Sequence, residues 1–145
     1  MSTKKRIIRK KRTVKRRGSK CNVAKMVAYL MEMLNAIKIY HWNTHSYAQH
    51  KATDELHERL GGNIDRFVEV LLGKREPERI RLANAQKIPL HNYKSTSQLK
   101  QSISKFRGFL VRLDGCFSDE DSDLLNIRDE ILADLNQFIY LLSLD

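Results

Sequence analysis

Between His41 and Glu69 the chain carries four of its five histidines, its single tryptophan and a run of carboxylates. Wound as a helix from His50 at about 100° per residue, Asp54 falls near 40°, His57 near 340°, Asp65 near 60° and Glu69 near 100°. Leu56, Leu60, Ile64, Phe67 and Leu71 occupy roughly 240° to 320° of the same wheel. Potential metal ligands therefore form a stripe directly beside the apolar stripe. A face that only solubilised the helix would lie opposite the core and carry Lys and Arg, as Lys51, Arg59 and Arg66 partly do. Imidazoles and carboxylates on one stripe are the donor set that iron and related divalent metals use in helix bundles. The same residues also suit a polar helix face with ordinary hydrogen bonds, and spacing does not choose between the two.

The rest of the chain reads as three more helices. Val23, Met26, Val27, Leu30, Leu34, Ile37 and His41 share a stripe from about Asn22, a plausible cap. Trp42 is expected to pack at the end of that helix, and Asn43 to Gln49 to form a loop with His45 exposed. The next helix should run from His50 to about Leu72 and tolerate Gly61-Gly62, a pair that costs on the order of 1 kcal/mol per glycine against alanine. Close approach of another backbone at Gly61 would account for it. Gly73 and Pro77 predict the stop. Lys74 to Lys94 has weak periodicity, with room for a short helix over Arg79–Lys87 and a break at Ile88-Pro89. The third helix, from Thr96 or Ser97, places Leu99, Ile103, Phe106, Leu110 and Leu113 inward and contains neither acid nor histidine. The fourth, Ser118 to Asp145, turns in Leu124, Ile131, Leu135, Phe138 and Leu142. Its leading SDEDSD suits an N-terminal cap, and Glu130 and Asp134 are expected to be salt-bridged. The fold class is all-α, a four-helix bundle over residues 21–145.

Charge is distributed unevenly. Of 27 Lys and Arg, eleven lie in the first twenty residues: Lys4, Lys5, Arg6, Arg9, Lys10, Lys11, Arg12, Lys15, Arg16, Arg17 and Lys20. That leaves 16 basic against 17 acidic side chains in the body. Residues 1–20 hold too little apolar surface to offset their ordering entropy, so they are expected to form a disordered arm. Its charge suits a nucleic-acid backbone, bound by counterion displacement. With no aromatic residue to stack on bases, binding to DNA should be non-specific. KKR, RKKR and KRR also suit a nuclear import signal, a reading ranked behind nucleic-acid contact and compatible with it. Two cysteines 95 residues apart are read as unpaired thiols in a reducing compartment. No apolar run approaches a membrane span, so no membrane partner and an intracellular setting are expected.

The pair His41-Trp42, then His50, Asp54 four residues on, Asp65 fifteen after His50 and Glu69 four further, resembles the ferroxidase signature of the Dps family of miniature ferritins. LNAIKIYHWN, Leu34 to Asn43, is similar to the end of a Dps first helix, and the likeness covers roughly residues 22 to 73. Ferritin-like proteins of large DNA viruses are a looser resemblance. The loop from His41 to His50 is three residues shorter than the Dps pattern and lacks its glycine. The resemblance implies a ferritin-like bundle with one long crossover connection, assembled as a homo-oligomer, a dodecamer in that family. It implies iron as the metal, Fe(II) oxidation by peroxide or oxygen, iron storage, protection against oxidative stress, and DNA binding in a nucleoid, nucleus or virion. His41, His50, Asp54, Asp65 and Glu69 would be the ligands, the first three from one subunit and the last two from another. His57 and Trp42 would stand behind them. A histone-like packaging protein without oxidation is the alternative.

Overall fold

The computed structural model describes residues 21–82 and 87–144. Four α-helices make up the body: α1, Val23–Asn43; α2, Tyr47–Lys74; α3, Thr96–Arg112; and α4, Ser122–Leu141. The basic arm and its eleven cations lie outside the described residues.

α2, α3 and α4 bury the stripes that their sequences mark, and in α1 the buried stripe is rotated from Val27 and Leu34 toward Met33, Ala36 and Tyr40. Leu56, Leu60, Ile64, Phe67 and Leu71 of α2 are all within the core, as are Leu99, Ile103, Phe106 and Leu110 of α3 and Leu124, Ile131, Leu135 and Phe138 of α4. α1 contributes Met26, Leu30, Met33, Ala36, Ile37 and Tyr40, with Val27 and Leu34 half-buried at the margin. A fully buried side chain of this kind contributes about 1.5–3 kcal/mol, so these stripes fix how the helices face one another. α2 packs against both α1 and α4, and α3 packs against α4. Tyr29 of α1 sets its ring against Phe106 and Phe109 of α3, closing the bundle on its fourth side.

The ends carry the local chemistry. Asn22 caps α1 by accepting from the Lys25 amide, Ser46 caps α2 and Ser95 caps α3 in the same way. Because Ser46 supplies a cap, α2 starts one turn earlier than the His50 expected from its apolar stripe, and the α1–α2 turn shrinks to Thr44–Ser46. α2 ends with Lys74 against Asp121 and Asp123 at the start of α4, and α3 starts beside the α1–α2 turn, where Thr96 meets Tyr40 and Gln49. Residues 75–82 and 87–95 are non-helical apart from a turn at the end of α2, so no helix forms over the described part of Arg79–Lys87. Ser118 and Asp121 form a capping box around a short 3₁₀ turn, Asp119–Asp121, and α4 proper starts after it. The capping reading of SDEDSD holds, with the start of α4 moved to Ser122.

Three further expectations change. Cys21 and Cys116 are not free thiols; they form a disulfide with Cα atoms 5.5 Å apart. Their 95-residue separation in sequence is bridged because the start of α1 and the end of α3 lie at the same end of the bundle. Trp42 does not pack into the core but is 68% exposed, with the Lys38 ammonium 5.9 Å above its ring. Finally, among the described residues nothing beyond the helix's own backbone lies within 4 Å of where a Cβ would stand at Gly61 or Gly62, so no close backbone among them explains that pair.

Candidate metal centre

The end of α1 and the first turns of α2 are locked by two histidines. His41 is buried and His50 half-buried, and their rings stack at 3.9 Å between centroids. Their hydrogen bonds are reciprocal: His41 Nδ1 donates to the carbonyl of His50 at 2.9 Å, and His50 Nδ1 donates to the carbonyl of His41 at 3.0 Å. A carbonyl oxygen can only accept, so each ring carries its proton on Nδ1 while neutral. That leaves both Nε2 lone pairs available, the tautomer that a metal-binding imidazole held by an outer partner requires. Thr53, fully buried, supports the turn by donating to the carbonyls of Gln49 and His50.

Asp54 stands one turn after His50, its Oδ1 3.7 Å from His41 Nε2. The carboxylate is held by Lys38, whose Nζ donates to the same oxygen at 3.2 Å. That hydrogen bond, aided by the charges of Lys38 and His41, keeps the Asp54 carboxyl below the usual carboxylate range. A cation therefore already sits where Asp54 would receive a metal. Lys38 was legible in the sequence, since it lies one helical turn before His41 on the same face. His57 follows at the next turn, half-buried. Burial first, then the nearby Lys38 charge, pushes its pKa down. Lys38, rather than His57, is the side chain that orients Asp54.

Asp65 and Glu69 are exposed on α2 and lie away from this cluster. At 1.5 Å per residue they stand about 16 and 22 Å along the helix from Asp54. Among the described residues, no three His, Cys, Asp or Glu side chains come together as a metal-holding group within the chain. His41, His50 and Asp54 are brought to one end; Asp65 and Glu69 are not brought to them. The acids on α4 are engaged elsewhere, Glu130 with Arg66 and Asp134 with Arg59 and Asn63, as their position beside the core suggests. His45 is exposed in the turn.

The fifth histidine forms a separate pair. His91 Nε2 meets Glu32 Oε1 at 2.6 Å and its ring stacks on Tyr93. This joins the segment before α3 to the middle of α1. No sequence signal marks it, because the partners are 59 residues apart and neither belongs to a motif.

A family model described as a family of unknown function, DUF5856, matches residues 41–142, well over half of the chain. The chain belongs to this family. The DUF5856 match starts at His41, the first histidine of the reciprocal pair, and ends at Leu142, the last buried residue of the α4 stripe. It thus takes in α2, α3 and α4 and leaves most of α1 outside. No curated protein and no solved structure matches the chain. Among the described residues, no helix is long and apolar enough to cross a membrane.

Proposed function

We propose that the protein is a Dps-like mini-ferritin that binds and oxidises Fe(II) at a site shared between two copies of the chain. In this reading residues 1–20 hold DNA without sequence preference. The observation that carries it is the reciprocal histidine pair, which leaves two Nε2 lone pairs free, that of His41 3.7 Å from the Asp54 carboxylate. The bundle is read as ferritin-like, with residues 75–95 as its one long crossover. Support comes from α2 ending at Asp121 and Asp123 while α3 starts beside Tyr40 and Gln49. Asp65 and Glu69 of one copy complete the set begun by His41, His50 and Asp54 of another, because they are too far along α2 to do so in their own chain. A homo-oligomer, a dodecamer by resemblance, follows from that requirement.

Imidazole and carboxylate donors hold Fe(II) moderately and Fe(III) more strongly, which eases electron loss. Two Fe(II) ions as substrate supply one electron each to a single hydrogen peroxide. Its O–O bond breaks as it takes up two electrons and two protons to give two waters, and no hydroxyl radical is released. The rival, a histone-like packaging protein without oxidation, is favoured by one observation, the Lys38 ammonium on Asp54.

Anaerobic Fe(II) titration followed by peroxide, with Fe(III) absorbance recorded, separates the two. Saturable binding and a peroxide-dependent rise are expected, and DNA binding without either supports packaging. Sharing is tested by mixing His50→Ala/Asp54→Ala chains with Asp65→Ala/Glu69→Ala chains. Verified mixed assemblies should regain a fraction of the sites; activity equal to the average of the two parents would defeat sharing.

A further inference from the structure

The near balance of 16 basic and 17 acidic side chains in the body hides a local imbalance. α3 carries Lys100, Lys105, Arg107 and Arg112 and no acid in its 17 residues. Among the described residues none of these four has a carboxylate within 4 Å, nor have Lys25, Lys51, Arg75, Arg79, Arg81, Lys87 and Lys94, scattered over other segments, whereas Lys38, Arg59, Arg66, Lys74 and Arg128 are ion-paired. The nearest acid after the helix, Asp114, is bound to Arg128 at 2.8 Å. On the helical wheel the four cations form two rails. Lys100 and Arg107 lie about 20° apart, Lys105 and Arg112 also about 20° apart, and the rails are separated by about 140°. Within each rail the cations stand about 10.5 Å apart along the axis. Between the rails the helix presents the exposed Val111 together with Gln101, Ser104 and Gly108, and the last three with Tyr29, Lys105 and Arg112 line a shallow groove of about 620 Å³.

The disulfide adds a second, independent observation. Cys21 is the residue that immediately follows the eleven cations of residues 1–20, and it is bonded to Cys116, four residues beyond Arg112. The root of the arm is thereby fixed at the C-terminal end of the acid-free helix. We propose that the outer face of α3 is a docking surface for the phosphate backbone of duplex DNA, continuous through the disulfide with the basic arm. The commitment to duplex follows from the face itself. Its one ring, Tyr29, is packed against Phe106 and Phe109 and offers bases no stacking platform, so cations along a low-relief strip recognise backbone and not bases. The inference rests on the DNA-binding part of the reading above and is independent of iron.

The test uses the full chain and a duplex of arbitrary sequence, with the binding constant measured across a salt series. Each phosphate neutralised contributes about 0.9 to the slope of log K against log salt. The variant Lys100→Gln/Lys105→Gln/Arg107→Gln/Arg112→Gln should lower that slope by up to about 3.6, so that wild type loses about two more decades of affinity between roughly 50 and 200 mM salt. The control, Lys25→Gln/Lys51→Gln/Arg79→Gln/Lys87→Gln, removes the same charge from exposed positions off α3 and should keep the wild-type slope. Equal loss in both, or in neither, overturns the docking surface while leaving DNA binding by the arm intact. A full chain that binds no duplex at all overturns both. Should the α3 variant fold poorly, acetylation of the wild-type chain decides: duplex should protect Lys100 and Lys105 and leave Lys51 reactive. Unprotected α3 lysines, or single strands bound more tightly than duplex, would refute the assignment.

Discussion

Gly61 and Gly62 sit in the interior of α2, on or beside the stripe that bears Asp54, Asp65 and Glu69, with open space where their Cβ atoms would be. Among the described residues of a single chain nothing therefore offsets their helix penalty, about 0.8–1 kcal/mol each against alanine. Gly61→Ala/Gly62→Ala should stabilise the isolated chain by about 2 kcal/mol. At about 2.1 cal/mol/K per residue over roughly 125 residues, the unfolding entropy is about 0.26 kcal/mol/K and Tm should rise by about 8 °C. A partner helix closing on this stripe would reverse the sign, because two added methyl groups would hold it away. Shared sites thus predict a chain that is more stable when dilute but assembles more weakly and binds less iron. Urea and thermal unfolding across protein concentrations, with sedimentation and Fe(II) stoichiometry, read all of this. A double variant less stable at every concentration would refute the open face. One that is more stable, yet assembles and binds iron like wild type, would refute a shared interface along this stripe.

Four further outcomes are expected. Cys21→Ser/Cys116→Ser opens a loop of 95 residues and should cost about 4–5 kcal/mol by chain entropy, seen as a lower urea midpoint against the oxidised protein; an unchanged midpoint would refute the bond. Lys38→Met frees Asp54 and should tighten anaerobic Fe(II) binding, and equal or weaker binding would show that the ammonium does not compete. The depressed pKa of His57 means that the unfolded chain takes the proton first. Stability is then full above the unfolded value near 6.5 and falls as pH drops through it; His57→Gln should flatten the urea midpoint between about pH 7 and 5 while iron stoichiometry is kept. Removing residues 1–20 should abolish DNA retention at moderate salt and spare iron oxidation, since four cations on α3 bind too weakly alone. Retention at unchanged affinity would place the whole binding site on the bundle.

What local sequence determined is the set of things that depend on neighbours a few residues away. Apolar residues three and four apart buried the stripes of α2, α3 and α4 as marked, because a helix turns at 3.6 residues whatever it packs against. Asn22 acts as the cap its side chain suits. The i, i+4 step from His50 to Asp54 places both at one end of α2, and the ion pairs of Glu130 and Asp134 follow from their position beside the core. The tertiary structure decided what depends on residues far apart in the chain. Cys21 meets Cys116 only because α1 starts where α3 ends. His91 finds Glu32 across 59 residues. The tautomers of His41 and His50 are set by each other's carbonyls, a relation that exists only once a three-residue turn folds α2 back on α1. Trp42 shows hydrophobicity and position in conflict: its ring argues for burial, but it stands about 100° around α1 from the buried His41, off the stripe of Ile37, Tyr40 and His41, and is left exposed.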